Sequence, residues 1–217
     1  MKFLLMLFAS FVVTTSARAT SCDVLEIEWY KTYTNSFSVA WDTSSFVCAS
    51  FEGNVAQALY DLHGIDYTSA NSSGYKPDFL KFVKEKKVKL KYNKNCKDLA
   101  TGNSSTKTIT ICPGFKNTSR EDRAATIVHE ARHLDYDDPK HVECVGGRHN
   151  GKSGACDQTL DISRGSGYSH DMWFFSWSLY RKDNDLSNDV IRSHIRNAVP
   201  DRFNKISSEE TTKWRNK

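Results

Sequence analysis

Proline and glycine are scarce, with 4 and 11 in 217 residues, which excludes a collagenous or low-complexity chain. No internal repeat and no low-complexity linker is present. No C-x-x-C pair occurs, which argues against a cysteine-based zinc site. Neither sign of charge dominates: 30 Lys and Arg face 26 Asp and Glu, and the net +4 is too small and diffuse to predict nucleic-acid binding. Beyond the N-terminus no apolar run is long enough to span a bilayer, so no membrane span is expected. What is present fits a globular protein: 39% hydrophobic and 12% aromatic residues argue against disorder. The length suits one good-sized domain or two small ones, and we expect a single domain over 20–217.

The N-terminus reads as a cleavable leader. Lys2 precedes an apolar run from Phe3 to Val13, and a polar stretch follows that ends Ala17-Arg18-Ala19. This is the pattern of a secretory signal peptide over 1–19, with cleavage expected after Ala19. The run is too short to span a bilayer as a helix. The mature chain is therefore expected to be secreted or periplasmic.

Export sets how the cysteines are read. Cys22, Cys48, Cys96, Cys112, Cys144 and Cys156 all follow the leader, and an even count in an oxidising compartment suggests disulfides. Six cysteines allow 15 pairings, so the sequence does not fix one. Sequential pairing, 22 with 48, 96 with 112 and 144 with 156, is the expectation taken here.

Hydrophobic periodicity outlines the elements. Glu52 to His63 reads as a helix with Val55, Ala58, Leu59 and Leu62 on one face. Asp78 to Lys84 reads as a short helix. Lys87 to Tyr92 and Thr106 to Cys112 alternate as strands do. The simplest arrangement makes them an antiparallel pair stapled by Cys96 and Cys112, with a turn-rich segment between. Thr118 with Glu121, or Ser119 with Asp122, forms a capping box for a helix running to about Asp135. Its buried stripe would be Ala124, Ile127, Val128, Ala131 and Leu134. Tyr136 to Gly167 reads as a long irregular stretch, and such loops are usually functional. Tyr168 to Arg181 reads as an aromatic helix, and a last helix covers Leu186 to Ala198, ended by Pro200. The fold class is α+β, with a small antiparallel sheet packed on helices and stapled by disulfides.

The capped helix carries His129-Glu130-Ala131-Arg132-His133, an H-E-x-x-H motif. At 3.6 residues per turn, the two histidines share a face about 6 Å apart along the axis. Both imidazoles can then reach one metal ion, and zinc suits such ligands. Glu130 borders the same face and can accept a proton from a metal-bound water. Arg132 is expected to point away from the metal and pair with a carboxylate. A catalytic zinc normally has a third protein ligand. His141 is the candidate, because the chain beyond Pro139 can fold back and Cys144 could anchor the return. Glu143, His149, Asp157, Asp161 and His170 remain alternatives. Asp135, Asp137 and Asp138 could orient a ligand imidazole. Tyr168 and His170 could donate to a developing oxyanion.

The motif on its helix, with a strand before it, resembles the zincin metallopeptidases over some 30 residues. The resemblance implies zinc binding by His129 and His133 and polarisation of the attacking water by Glu130. It also implies an edge strand antiparallel to bound substrate, for which Thr106 to Cys112 is the match. Metzincins have a Gly and a third ligand where this chain has Tyr136 and Pro139. The Glu of gluzincins comes from a later helix, whereas Glu143 lies in a loop. Asp161 with Gly167-Tyr168 only loosely echoes the deuterolysin pattern. No subfamily is therefore assigned.

The expected function is a secreted zinc metallopeptidase acting on a peptide or protein, with Glu130 as general base. Two alternatives stand beside it. One is a zinc amidase acting on cell-wall peptides. The other is a non-catalytic metal-binding or interaction protein. The sequence is silent on oligomeric state.

Overall fold

The computed structural model describes residues 38–39, 51–63, 88–134, 140–161, 164–180, 186–207, 209, 212 and 216. The expected leader, Cys22 and Cys48, the helix expected over Asp78 to Lys84, and Asp135, Asp137 and Asp138 lie outside them.

The described chain is α+β. A four-stranded sheet has the order β1 (Ser38–Val39), β2 (Lys89–Tyr92), β4 (Thr108–Ile111), β3 (Ala100–Asn103). Four helices accompany it: α1 (Phe51–His63), α2 (Arg120–Arg132), α3 (Gly167–Tyr180) and α4 (Asn188–Arg202). A second, two-stranded sheet pairs β5 (Asp157–Thr159) with β6 (Phe203–Lys205) in parallel. No helix among the described residues is long and apolar enough to cross a membrane.

The four-stranded sheet is mixed, which corrects the antiparallel pair. β2 and β4 do pair, but in parallel, with Leu90 opposite Ile109. The turn-rich segment between them contains β3, which takes the antiparallel place beside β4 at the sheet edge. Its sequence, Ala-Thr-Gly-Asn, has little β-propensity and left no signal. β4 also starts later than expected, because Lys107 has φ 51 and belongs to the turn before it.

Helix α2 begins where its cap dictates. Of the two candidate pairs, Ser119 with Asp122 is the one formed: Ser119 Oγ accepts the Asp122 backbone N–H at 3.0 Å. Thr118 instead donates its hydroxyl to the Phe115 carbonyl. Glu121 and Asp122 in the first turn, and His129 and Arg132 in the last, complement the helix dipole. The helix ends at Arg132, with His133 as its C-cap, short of the expected Asp135. Its stripe of Ala124, Ile127, Val128 and Ala131 is buried, as is Leu134 beyond it.

The core joins that stripe to Val55, Ala58, Leu59 and Leu62 of α1, Leu90 and Ile109 of the sheet, and Met172, Phe174 and Phe175 of α3. α2 packs against α1 and α3, and α3 packs against α4. Buried charged groups here are tied down by hydrogen bonds: Arg123 donates through its two Nη atoms to the Thr118 carbonyl and to Gln57, although its buried Nε has no partner among the described residues, and Glu121 accepts the Ser187 N–H.

Helix α4 runs through Pro200 to Arg202, past the stop expected at that proline. Only two residues follow it, and both are anchored from outside the helix. Asp201 is paired with Arg148, and Arg202 donates to the Ala155 carbonyl. Tertiary contacts here outweigh the proline.

Cys96 pairs with Cys112 and Cys144 with Cys156, as expected. These bonds are compatible with an extracellular location. The second closes the segment expected to be irregular, which in fact carries the Val142–Cys156 bridge and β5.

Candidate metal centre

His129 lies in the last turn of α2 and His133 caps its C-terminus. His141 lies just before the Val142–Cys156 bridge. The three imidazoles converge, each offering a nitrogen within 4.8 Å of the others. Ring centroids are 5.0 Å apart for His129 with His133, 5.0 Å for His129 with His141 and 4.7 Å for His133 with His141. His129 and His141 face each other through their Nε2 atoms at 3.0 Å.

The orientation of two of these rings comes from carboxylates. His129 Nδ1 bonds Asp171 Oδ2 at 2.8 Å, and His141 Nδ1 bonds Asp157 Oδ1 at 2.6 Å. Asp157 is itself fixed by the Ser169 backbone N–H on its other oxygen. Each carboxylate leaves the imidazole's Nε2 as the outward-facing atom, the arrangement typical of a metal-ligating histidine.

The electrostatics favour positive charge at this point. Burial alone would depress His129, but the Asp171 carboxylate, helped by Glu130 and Asp157, carries it up to about 9. Burial raises Asp171, opposed by the same His129. Asp171 Oδ1 is buried without a hydrogen-bond partner among the described residues. A site that holds a proton this strongly and surrounds it with carboxylates can hold a cation in its place. The donor set therefore fits a metal ion, and three neutral imidazoles are the chemistry that borderline-soft divalent metals take.

Two glycines let the elements approach this closely. A Cβ on Gly167 would lie 2.4 Å from His129 Nε2, so the start of α3 packs directly on that ring. A Cβ on Gly102 would lie 2.7 Å from the Glu130 carbonyl and 3.2 Å from Glu130 Oε2, so β3 passes against the motif. The strand at the site is thus β3, and Thr106 to Cys112 is not the edge strand: Thr108–Ile111 sits inside the sheet.

Glu130 and the three histidines line a cleft of about 720 Å³. Tyr168 forms part of its wall, with its ring 4.7 Å from His129 and 4.6 Å from His141. Burial above all keeps its phenol above the ordinary range. His149 lines the same cleft but is not in the three-histidine group.

The other candidates stand elsewhere. Asp157 supports His141 instead of joining the group. Asp161 bonds Arg164, and Glu143 is exposed with its carbonyl bonded to Asn204. His170 is buried, with Nδ1 against the Ser166 carbonyl. Arg132 is buried too, and its Nε donates to the Gly165 carbonyl. Asp171 was missed, because its partner lies 42 residues away and no local pattern links them.

No protein-family model matches the chain, and neither a curated protein nor a solved structure matches it.

Proposed function

We propose that the chain is a secreted zinc-dependent metallopeptidase, with His129, His133 and His141 as zinc ligands and Glu130 as general base. The observation that supports this most is the convergence of three imidazoles beside a glutamate in one cleft. An H-E-x-x-H helix alone brings two histidines. A third imidazole from a separate segment, itself oriented by a buried carboxylate, is what a built metal site requires.

Bound there, zinc would polarise a substrate carbonyl and make a water acidic enough to attack it near neutral pH. The chain's own residues do the rest. Asp171 and Asp157 hold the His129 and His141 rings with Nε2 towards a common centre. Glu130 takes a proton from the attacking water on a carboxylate oxygen and passes it to the leaving amine. β3 pairs only with β4 among the described residues, so its other edge can receive an extended peptide beside Glu130.

The test is Glu130→Gln. The variant should bind as much zinc as the parent and lose on the order of a hundredfold or more in hydrolysis of casein or a matched peptide. Retained hydrolysis at unchanged zinc content would overturn the assignment of Glu130.

A further inference from the structure

The cleft extends past the three histidines to a wall built by the end of α4 and the loop closed by Cys144–Cys156. Arg148, His149, Tyr168, Asp201 and Arg202 line it there. Asp201 is the acidic member, and it is already engaged. It accepts Arg148 Nε at 2.6 Å and the Arg148 backbone N–H at 3.1 Å. Those contacts outweigh the effect of burial and hold its carboxyl below the usual carboxylate range.

Arg202 differs. Its guanidinium carbon sits 4.5 Å from the centre of the Tyr168 ring. Its Nη1 donates to the Ala155 carbonyl at 2.8 Å, and among the described residues it has no carboxylate partner. A guanidinium has five N–H donors, so most remain for a ligand. Tyr168 holds it in a cation–π contact, which fixes the fork without consuming those donors. The neighbouring His149 feels this charge: burial first, then Arg202 and Lys152, lower its pKa, with Asp201 opposing and Arg148 adding a smaller push in the same direction.

The stack continues into the metal centre. Tyr168 lies 4.6 Å from the His141 ring, with 36° between the planes. Two steps, of 4.5 and 4.6 Å, therefore set the upper limit on the distance from the guanidinium carbon to the ring of a proposed zinc ligand. About two to three residues of extended chain cover that reach.

Resting on the peptidase reading, we propose that Arg202 is the carboxylate-binding residue of the cleft. The chain would then prefer peptides that place a carboxylate within about two to three residues of the cleaved bond. The carboxylate is either an Asp or Glu side chain or the peptide's own C-terminus. Arg202 reads it with a planar, two-donor contact.

The experiment uses the zinc-loaded full mature chain and matched hexapeptides. Members of each pair differ only by Glu against Gln at one position, or by a free against an amidated C-terminus. A charge-assisted contact of this kind is worth about tenfold in kcat/KM, so one pair should show a preference of at least that size. Which pair shows it identifies the side-chain or terminal source. Arg202→Gln should bring the ratio close to one. Arg202→Lys, which keeps the charge without the fork, should retain part of it and covers the case in which the Gln variant fails to fold. Equal cleavage of both members by the parent chain, or an undiminished ratio in both variants, would overturn the role of Arg202 and leave the peptidase reading standing. Fluorescein-labelled versions of the peptides, titrated against Glu130→Gln by anisotropy, separate the two ideas. Carboxylate-selective binding that Arg202→Gln abolishes, found while the zinc-loaded parent chain cleaves none of the peptides, would uphold Arg202 and remove the peptidase reading. Binding without selectivity, or no binding, would overturn the inference.

Discussion

Asp171 and His129 form a part-buried pair in which the carboxylate raises the ring's affinity for its proton. In the metal-free chain His129 holds its proton up to about pH 9. A metal ion needs the neutral imidazole, so uptake below that pH must displace a proton. Apparent zinc affinity should therefore climb about tenfold per pH unit and level off near pH 9. Asp171→Asn removes the charge that raises His129, so the plateau should begin at lower pH. The plateau affinity should also fall, by about ten- to a hundredfold, because the ring loses its anionic partner. Chelator competition across pH checks both effects, and an unchanged profile would contradict this role for Asp171. At this scale the sequence is uneven. His129, Glu130 and His133 are legible because four-residue spacing on a helix fixes their relation. His141 is reached only by following the chain past a proline, and Asp171 only once α3 is packed on α2.

Helix α2 shows why elements are easier to read than their pairings. Its cap and its apolar stripe are local, so the sequence narrows the cap to two neighbouring pairs and places the stripe outright. Ser119→Ala should cost about 1 kcal/mol, since it strands the Asp122 N–H at the helix start. Urea denaturation of the metal-free chain would show this as a lower midpoint at unchanged slope; an unmoved midpoint would mean that water caps the helix equally well. The strands are the opposite case. β2 and β4 are visible by alternation, but whether they run parallel depends on where the chain between them goes. That chain forms β3, whose small and polar residues resemble a loop. The end of α4 is a third case. Proline signals a stop, yet the Asp201–Arg148 pair and the Arg202–Ala155 bond hold the last turn in place.

Across the whole molecule, the proposed metal centre is the meeting point of separately positioned parts. α2 supplies two imidazoles, and the segment before the Val142–Cys156 bridge supplies the third. α3 supplies Asp171 and Tyr168, and β3 lies against Glu130. The Cys144–Cys156 bond ties the His141 segment to β5, which carries Asp157. Composition and patterning point to the α+β class, and the two expected disulfides that fall on described residues, Cys96–Cys112 and Cys144–Cys156, are formed. The convergence itself depends on tertiary packing, which no local period encodes.

The most direct test is the metal content of the oxidised, untagged mature chain by elemental mass spectrometry, with His141→Ala beside it. About one zinc per parent chain is expected, with clear loss of zinc from His141→Ala after the same dialysis. A parent chain that holds no zinc even after reconstitution would remove the proposed metal centre and reduce the H-E-x-x-H helix to a polar helix edge.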